Sequence, residues 1–320
     1  MAKKILITVS PIYREAVEGC IAWLAGRGLQ VDWLGRSDEQ LGEQELVSLL
    51  EGVELYIVGN ARVPRRVIEA CPQLRMICKY GVGVDNIDLA AATERGVLVT
   101  NAPGANAISV ADMTMGMLLS LSRRLKEAER TVREGGWRVT VGHELYGRTL
   151  GIIGLGNIGK QVAVRARAFG MRVVSNDIVE YPDFCRQQEV EPVGLEELLA
   201  QSDVVSLHVP LTPLTRHMIG EAQLGRMKQD ALLLHTARGG VVDEAALYRS
   251  LAGGHLAVAA VDVFEREPLG ESPLRSLEQV ILTPHVAGIT YEAAERIARH
   301  TLASVEAYLR GERPLHLRNP

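Results

Sequence analysis

The sequence predicts an α/β protein built of two doubly wound parallel sheets. Three observations carry that expectation. Residues 4 to 101 alternate apolar runs with stretches of helical spacing, a pattern that calls for parallel strands joined by crossover helices. Residues 149 to 283 repeat the alternation without any visible repeat of sequence. Within that second series, Thr149 to Asp177 reads TLGIIGLGNIGKQVAVRARAFGMRVVSND, a strand, a glycine-rich turn, a helix, a second strand and an acidic residue in succession.

From the N-terminus, Lys4 to Val9 is a strand and Ile12 to Ala25 an amphipathic helix containing Trp23. Leu29 to Leu34 is the second strand, Glu43 to Leu50 a helix, and Val53 to Val58 the third strand. Pro64 to Ala70 is a helix with proline in its first turn, where a missing N–H breaks no helical hydrogen bond. Leu74 to Lys79 is a strand, Ile87 to Arg95 a helix, and Val97 to Asn101 a strand. Asn101-Ala102-Pro103-Gly104 then punctuates the chain. A long helix is expected from Ala107 to about Arg130. Met113, Met115, Met117, Leu118, Leu119 and Leu121 make it apolar on more than one face, so it is buried between domains or shared with a second subunit. Arg133 to Tyr146 is polar, contains glycine and reads as a loop carrying Trp137. Beyond Asp177, Leu195 to Leu199 is helical and Val204 to Val209 is a strand ended by Pro210. Ala231 to Ala237 is a strand, Asp243 to Leu251 a helix, and Leu256 to Phe264 another strand. Val280 to Thr283 is the last strand, stopped by Pro284, and Tyr291 to Leu309 is a long closing helix ended by Gly311.

The glycine-rich unit has the order that a dinucleotide site requires. Leu150 to Ile153 is the buried strand, Lys160 to Phe169 the helix, and Met171 to Val174 the strand that closes on Asp177. In Gly154-Leu155-Gly156-Asn157-Ile158-Gly159, Gly154 takes the tight turn, Gly156 lets the backbone approach a pyrophosphate, and Gly159 lets helix and strand pack closely. The free N–H groups at the start of the helix face the phosphates. Asp177 accepts hydrogen bonds from the adenosine ribose hydroxyls and repels a 2′-phosphate. Ile178 and Val179 follow it and bring no cation, so NAD is expected over NADP.

Composition narrows the rest. A chain of 320 residues is long enough for two domains with substantial cores. At 47% hydrophobic and 23% charged it is ordinary for a soluble globular enzyme, and a net charge of −4 gives no reason to expect nucleic acid or an anionic membrane as partner. Cys20, Cys71, Cys78 and Cys185 are scattered without a CxxC pair or a Cys/His spacing of metal-ligand type, so no metal is expected and the thiols read as reduced. The apolar run after Lys3-Lys4 is too short for a signal peptide and is broken by Ser10-Pro11. The expected location is the cytoplasm.

A nicotinamide cofactor moves a hydride, so a protein group must move the proton. Among eight histidines His285 stands out, because it follows a strand and Pro284, where α/β sites open. His208 also ends a strand but within an apolar run, and is expected to be structural. His143, His217, His255, His300 and His316 read as surface residues. Arg238 closes a strand before Gly239-Gly240, and its planar, permanently charged guanidinium suits a keto-acid carboxylate and carbonyl. Glu267, just past another strand, would stabilise protonated His285 if placed beside it.

Six segments then carry a resemblance. They are KYGVGVDNID from Lys79, GRTLGIIGLGNIG from Gly147, SLHVPLTPLTRHMIG from Ser206, HTARGGVVDEAAL from His235, AAVDVFEREP from Ala259 and TPHVAGIT from Thr283. With these the chain resembles, over nearly its whole length, the D-isomer-specific 2-hydroxyacid dehydrogenases. The resemblance implies a flavodoxin-like substrate-binding domain from residues 1–102 and 290–320, and a Rossmann NAD domain from residues 103–289. It implies a homodimer through the helix from Ala107. It makes Arg238, Glu267 and His285 a catalytic triad, and places Asn157 and Ile158 at the pyrophosphate, Asp177 at the ribose, and Val209 and Pro210 beside the adenosine. Thr236 and Asp262 fall near the nicotinamide, with Ala237 and Gly288 also among the cofactor residues, and the backbone of Val82 and Gly83 holds the substrate carboxylate. His235 departs from the asparagine or serine common in the family, and the short chain implies no regulatory domain of the kind found in longer phosphoglycerate dehydrogenases.

The substrate reading starts from Lys79, next to that carboxylate loop. Its ammonium either meets a second anionic group on the substrate, with Arg62 and Arg65 nearby, or pairs with a carboxylate such as Asp85. The first option makes 3-phosphoglycerate and phosphohydroxypyruvate the leading pair, with glyoxylate or hydroxypyruvate reduction as the alternative. From a different class, NAD-sensing corepressors share the family's triad, but no extra segment here suggests a partner-peptide surface.

Overall fold

The computed structural model describes residues 3–38 and 41–319. The chain divides into two compact units, Met1–Asn106 with Ile289–Pro320, and Ala107–Gly288.

In the first unit the elements are β1 (Lys4–Thr8), α1 (Arg14–Ala25), β2 (Gln30–Trp33), α2 (Glu43–Leu49), β3 (Leu55–Val58), α3 (Arg65–Ala70), β4 (Met76–Lys79), α4 (Leu89–Glu94) and β5 (Leu98–Thr100), completed by the closing helix Tyr291–Leu309. The sheet runs β2-β1-β3-β4-β5 and is parallel throughout. Strand alternation splits its side chains between two cores. Ile5, Ile7, Leu55 and Ile57 pack with Val17 and Leu24 of α1 and with Ile297 and Val305 of the closing helix. Leu6, Tyr56, Val58 and Ile77 pack with Leu46, Val67, Ile68 and Ala91 of the helices on the other face. With both faces covered, every residue of β3 and β4 is buried, which is why these strands read as continuous apolar runs. Polar contacts fasten the C-terminal segment here. The Tyr80 hydroxyl donates to the Ala294 carbonyl at 2.9 Å, and the Asn319 side chain bonds Val99 N and Val97 O, both at 2.8 Å, along the β5 edge.

The second unit contains α5 (Ala107–Ser122), α6 (Leu125–Arg133), β6 (Thr149–Ile153), α7 (Asn157–Ala168), β7 (Arg172–Asn176), α8 (Pro182–Gln188), β8 (Val190–Pro192), α9 (Leu195–Gln201), β9 (Val204–Leu207), α10 (Glu221–Arg226), β10 (Leu232–His235), α11 (Glu244–Ala252), β11 (Val258–Val261) and β12 (Val280–Leu282). Its seven parallel strands run β12-β11-β10-β9-β6-β7-β8. The order reverses at β6, which lies between β7 and β9. In such sheets that switch point opens a crevice at the carboxyl ends of the strands. No helix among the described residues is long and apolar enough to cross a membrane.

One expectation needs correction. The helix from Ala107 to about Arg130 is two helices, broken where Arg124 turns left-handed at φ 52°. The Ser122 carbonyl there accepts from His143 N at 2.7 Å, so the returning chain takes up an acceptor at the break. Ser122-Arg123-Arg124 contains no glycine or proline to announce this. Part of the apolar surface of α5 is used inside the unit, where Met115, Met117 and Leu118 share a core with Val162, Ala163 and Ala166 of α7, while Ile108 stays 45% exposed. The short elements α8, β8 and α10 were not legible in the sequence, because each spans two turns or fewer with few apolar residues.

Candidate active site

The switch point carries the glycine-rich turn. Gly154 has φ 96°, and a Cβ on it would lie 2.8 Å from the His208 carbonyl carbon, while a Cβ on Gly159 would lie 2.1 Å from Gly154 O. Neither position can hold a side chain without moving backbone. A Cβ on Gly156 would meet nothing within 4 Å, so the turn presents an open face there. No side chain caps α7, so the N–H groups of Asn157, Ile158 and Gly159 have no acceptor within the helix. Those donors, with the helix dipole, fit a pyrophosphate. At the end of β7 the Asp177 carboxylate accepts from Leu155 N at 2.6 Å and Val179 N at 2.9 Å, which holds it beside the turn with lone pairs left for ribose hydroxyls. Ile178 is 98% exposed, so this rim carries an apolar side chain where a 2′-phosphate would need a cation. The residues present fit NAD.

Three strands further along the sheet, the loops after β10, β11 and β12 bring Arg238, Glu267 and His285 together. His285 Nδ1 lies 2.8 Å from Glu267 Oε2. A carboxylate can only accept, so Nδ1–H is the donor and Nε2 is left to face a reactant. The other oxygen of Glu267, Oε1, accepts from Phe264 N at 2.9 Å, which fixes the carboxylate plane. Burial pushes the Glu267 carboxyl up, but the His285 hydrogen bond and charge, the Phe264 N–H and the Arg238 charge outweigh it and hold the group below the usual carboxylate range. Arg238 is half-buried and donates to its neighbouring Ala237 carbonyl at 2.8 Å.

His285 is left-handed at φ 52°, a conformation that costs a non-glycine residue about 1–2 kcal/mol. Asp262, 1% exposed, offsets that cost. Its carbonyl accepts from His285 N at 2.8 Å, Oδ1 accepts from Thr283 Oγ1 at 2.6 Å and Val286 N at 2.9 Å, and Oδ2 accepts from Ala287 N at 2.9 Å. Sequence reasoning missed this role for Asp262 and missed its partner Thr283. It also missed Thr114, whose hydroxyl gives its proton to Val110 O at 2.7 Å. Thr236 Oγ1, 3.2 Å from Thr114, must therefore donate to it and can only accept from a ligand. A lone threonine in the apolar run of α5 was the available signal.

His208 is structural, as expected. Its Nε2 meets Ser206 Oγ at 2.8 Å, and burial together with nearby His235 pushes the ring down to about 3. His235 is buried and its ring is also pushed down to about 3, so neither works as an acid near neutral pH. Val209 and Pro210 follow β9 against the glycine turn, where Val209 Cγ1 would meet a Gly154 Cβ at 2.9 Å. Gly288 follows the buried Ala287 and is the last residue of the unit.

In the first unit, the Val82 carbonyl accepts from Asn101 Nδ2 at 2.5 Å, which fixes the loop holding Val82 and Gly83 after β4. Lys79 is 8% exposed, and its ammonium donates to the Gly59 carbonyl, with Asn60 Oδ1 at 3.5 Å. Arg65 is spent on a two-point contact with Glu94, at 2.5 and 2.9 Å, and a further one with Glu69. Among the described residues no group of three or more His, Cys, Asp or Glu side chains could hold a metal ion.

Comparison with known proteins matches residues 115–287 to the NAD binding domain of the D-isomer specific 2-hydroxyacid dehydrogenases. The chain is 48% identical over 264 residues to a glyoxylate reductase from Korarchaeum cryptofilum, covering 80% of each. It is 44% identical over 276 residues to a D-3-phosphoglycerate dehydrogenase from Methanocaldococcus jannaschii, covering 85% of this chain and 53% of that one. Among solved structures it is similar to D-lactate dehydrogenase from Aquifex aeolicus complexed with NAD and lactic acid, with a TM-score of 0.83, 34% identity, and 97% and 96% of the two chains covered.

Proposed function

This chain belongs to the D-isomer specific 2-hydroxyacid dehydrogenases, NAD-dependent oxidoreductases, and on that premise we propose that it reduces a small 2-oxo acid to the D-2-hydroxy acid with His285 as the proton donor. The observation that carries this reading is the 2.8 Å contact between His285 Nδ1 and Glu267. With Nδ1–H committed to an ionised carboxylate, a proton on Nε2 is stabilised and available to the carbonyl oxygen as it gains charge. When bound, the nicotinamide supplies the hydride. Arg238 grips the substrate carboxylate and polarises the carbonyl with a charge that never titrates. In the first unit the amides of Val82 and Gly83 offer donors suited to a carboxylate, and in the second the N-terminal turn of α7 with Asp177 orients the cofactor. Overall, 2-oxo acid, NADH and a proton give D-2-hydroxy acid and NAD.

For the substrate, the reading favours glyoxylate or hydroxypyruvate over phosphohydroxypyruvate. Lys79 and Arg65 both spend their charge on internal partners, and of the three cations considered for a phosphate only Arg62 is fully on the surface. The chain is 48% identical to the glyoxylate reductase over 264 residues and 44% identical to the phosphoglycerate dehydrogenase over 276. Turnover with NADH on glyoxylate, hydroxypyruvate and phosphohydroxypyruvate tests this. The expected order of kcat/KM puts phosphohydroxypyruvate last. Tight NADH binding with no turnover on any of them would instead favour an NAD-sensing protein.

The homodimer expected from the sequence has a further support. Besides Ile108 on α5, exposed apolar residues lie further on, at Leu125, Val132, Trp137, Val139, Val141 and Tyr146. Of these, Val141 lines a cleft of about 920 Å³ with Leu121, Leu232, Val258 and Ile281 in its wall. That cleft opens at the N-terminal ends of β10 and β11, the end of the sheet away from His285, so it serves association and not the chemistry.

A further inference from the structure

The first unit contains two buried opposite charges that take no direct part in the proposed reduction. Asp38 is 1% exposed and Lys79 8% exposed. A single peptide group joins them. The Asn60 N–H donates to Asp38 Oδ1 at 3.1 Å, and the carbonyl of the same peptide, Gly59 O, accepts from Lys79 Nζ. A peptide dipole is negative at oxygen and positive at N–H, so each charge meets the end that stabilises it. The anion is satisfied on its other side, where Asp38 Oδ2 accepts from Ala61 N at 3.0 Å and Thr8 Oγ1 at 3.1 Å. Thr8 has one hydroxyl proton and gives it to Asp38, so the Tyr56 hydroxyl, 2.8 Å away, must donate to Thr8. Burial and the charge of Asp38 push the Tyr56 phenol up, against the hydrogen bond to Thr8, so that proton stays in place.

The arrangement leaves no room for variation in the turn. A Cβ on Gly59 would lie 2.9 Å from Asp38 Oδ2 and 3.0 Å from Thr8 O. Asn86 Nδ2 fixes the far side, donating to Ala61 O at 2.7 Å and Gly59 O at 3.3 Å. Lys79 also reaches the neighbouring loop, because its Cε lies 3.2 Å from where a Gly81 Cβ would be. Its side chain is thus wedged between the turn after β3 and the loop Gly81 to Gly83 that the proposed function uses for the substrate carboxylate.

We propose that Lys79 is a positioning residue, whose ammonium, balanced by Asp38 across the Gly59–Asn60 peptide, fixes the turn after β3 against the carboxylate loop and does not itself grip the substrate. The effect on substrate rests on the reductase reading; the charge balance does not. A phosphate brought to this edge meets an ammonium already neutralised within the fold and a buried carboxylate behind it.

A double-mutant cycle of Asp38→Asn, Lys79→Met and the double variant tests the pair by thermal unfolding. Each single change strands one buried charge, so the double variant should lose less in Tm than the two singles summed. Additive losses would overturn the pairing, and this arm needs no activity. In kinetics, Lys79→Met should raise KM by a similar factor, about tenfold, for glyoxylate, hydroxypyruvate and phosphohydroxypyruvate, with the NADH dissociation constant from fluorescence unchanged. A loss confined to phosphohydroxypyruvate would overturn the positioning role. If Lys79→Met does not fold, Lys79→Gln keeps a donor for Gly59 O without the charge and answers the same question. Absence of turnover by the wild-type chain on all three acids would refute the reductase reading while the unfolding cycle still decides the charge pair.

Discussion

Asp262 holds the backbone around His285 in its left-handed turn, accepting the His285 N–H on its carbonyl at 2.8 Å and three further donors from the same loop on its carboxylate. The imidazole therefore reaches Glu267 from a rigid support. Asparagine at this position could accept through one oxygen only and would turn an NH2 toward Val286 N or Ala287 N. Asp262→Asn should lower kcat on the order of tenfold and speed hydrogen exchange at Val286 and Ala287. Unchanged exchange at both amides would show that the loop does not depend on Asp262.

His285→Ala should lower kcat by roughly two to four orders of magnitude, the usual worth of a positioned acid–base group. The check is steady-state reduction with NADH saturating. A loss smaller than tenfold would move the proton donor elsewhere.

Glu267 gives a pH prediction with a definite sign. Its carboxyl is held below the usual range, so its charge is present above that range and is lost only as pH falls through the lowered value. The acid side of the activity profile should accordingly stay flat down to mildly acid pH in the wild-type protein. Glu267→Gln removes that titrating charge, so the acid limb of the reduction profile, where the wild-type protein loses it, should move. A limb that stays put contradicts the role given to Glu267.

Asp177, locked beside the glycine turn by Leu155 N and Val179 N, should make kcat/KM higher with NADH than with NADPH. Asp177→Ser should narrow the gap by removing the repulsion of a 2′-phosphate. A wild-type preference for NADPH would refute the assignment.

Light scattering at micromolar concentration should show a dimer, and Trp137→Glu should shift it toward monomer, because Trp137 is 86% exposed on the loop after α6. A wild-type monomer would remove the reason for that surface.

Local chemistry explains what the sequence alone made legible. Both parallel sheets were legible because strands buried on two faces must be continuously apolar, and the glycine turn because Gly154 and Gly159 tolerate no Cβ. Apolar runs overshot the strands, as at Leu256 to Phe264, where only Val258–Val261 pairs in the ladder although Val263 and Phe264 are buried. Apolarity reports burial, and burial extends into loops.

By itself the sequence determined the α/β architecture, the dinucleotide unit and the three strand-end residues Arg238, Glu267 and His285, since each is written in contiguous residues whose chemistry is local. Only the tertiary structure decided the break at Arg124, the hold of Asp262 on the His285 loop and the engagement of Lys79 with Gly59. Each of these depends on which donor meets which acceptor across residues distant in the chain. A side chain's charge is fixed by its type, but what that charge does is fixed by the partner folding brings to it.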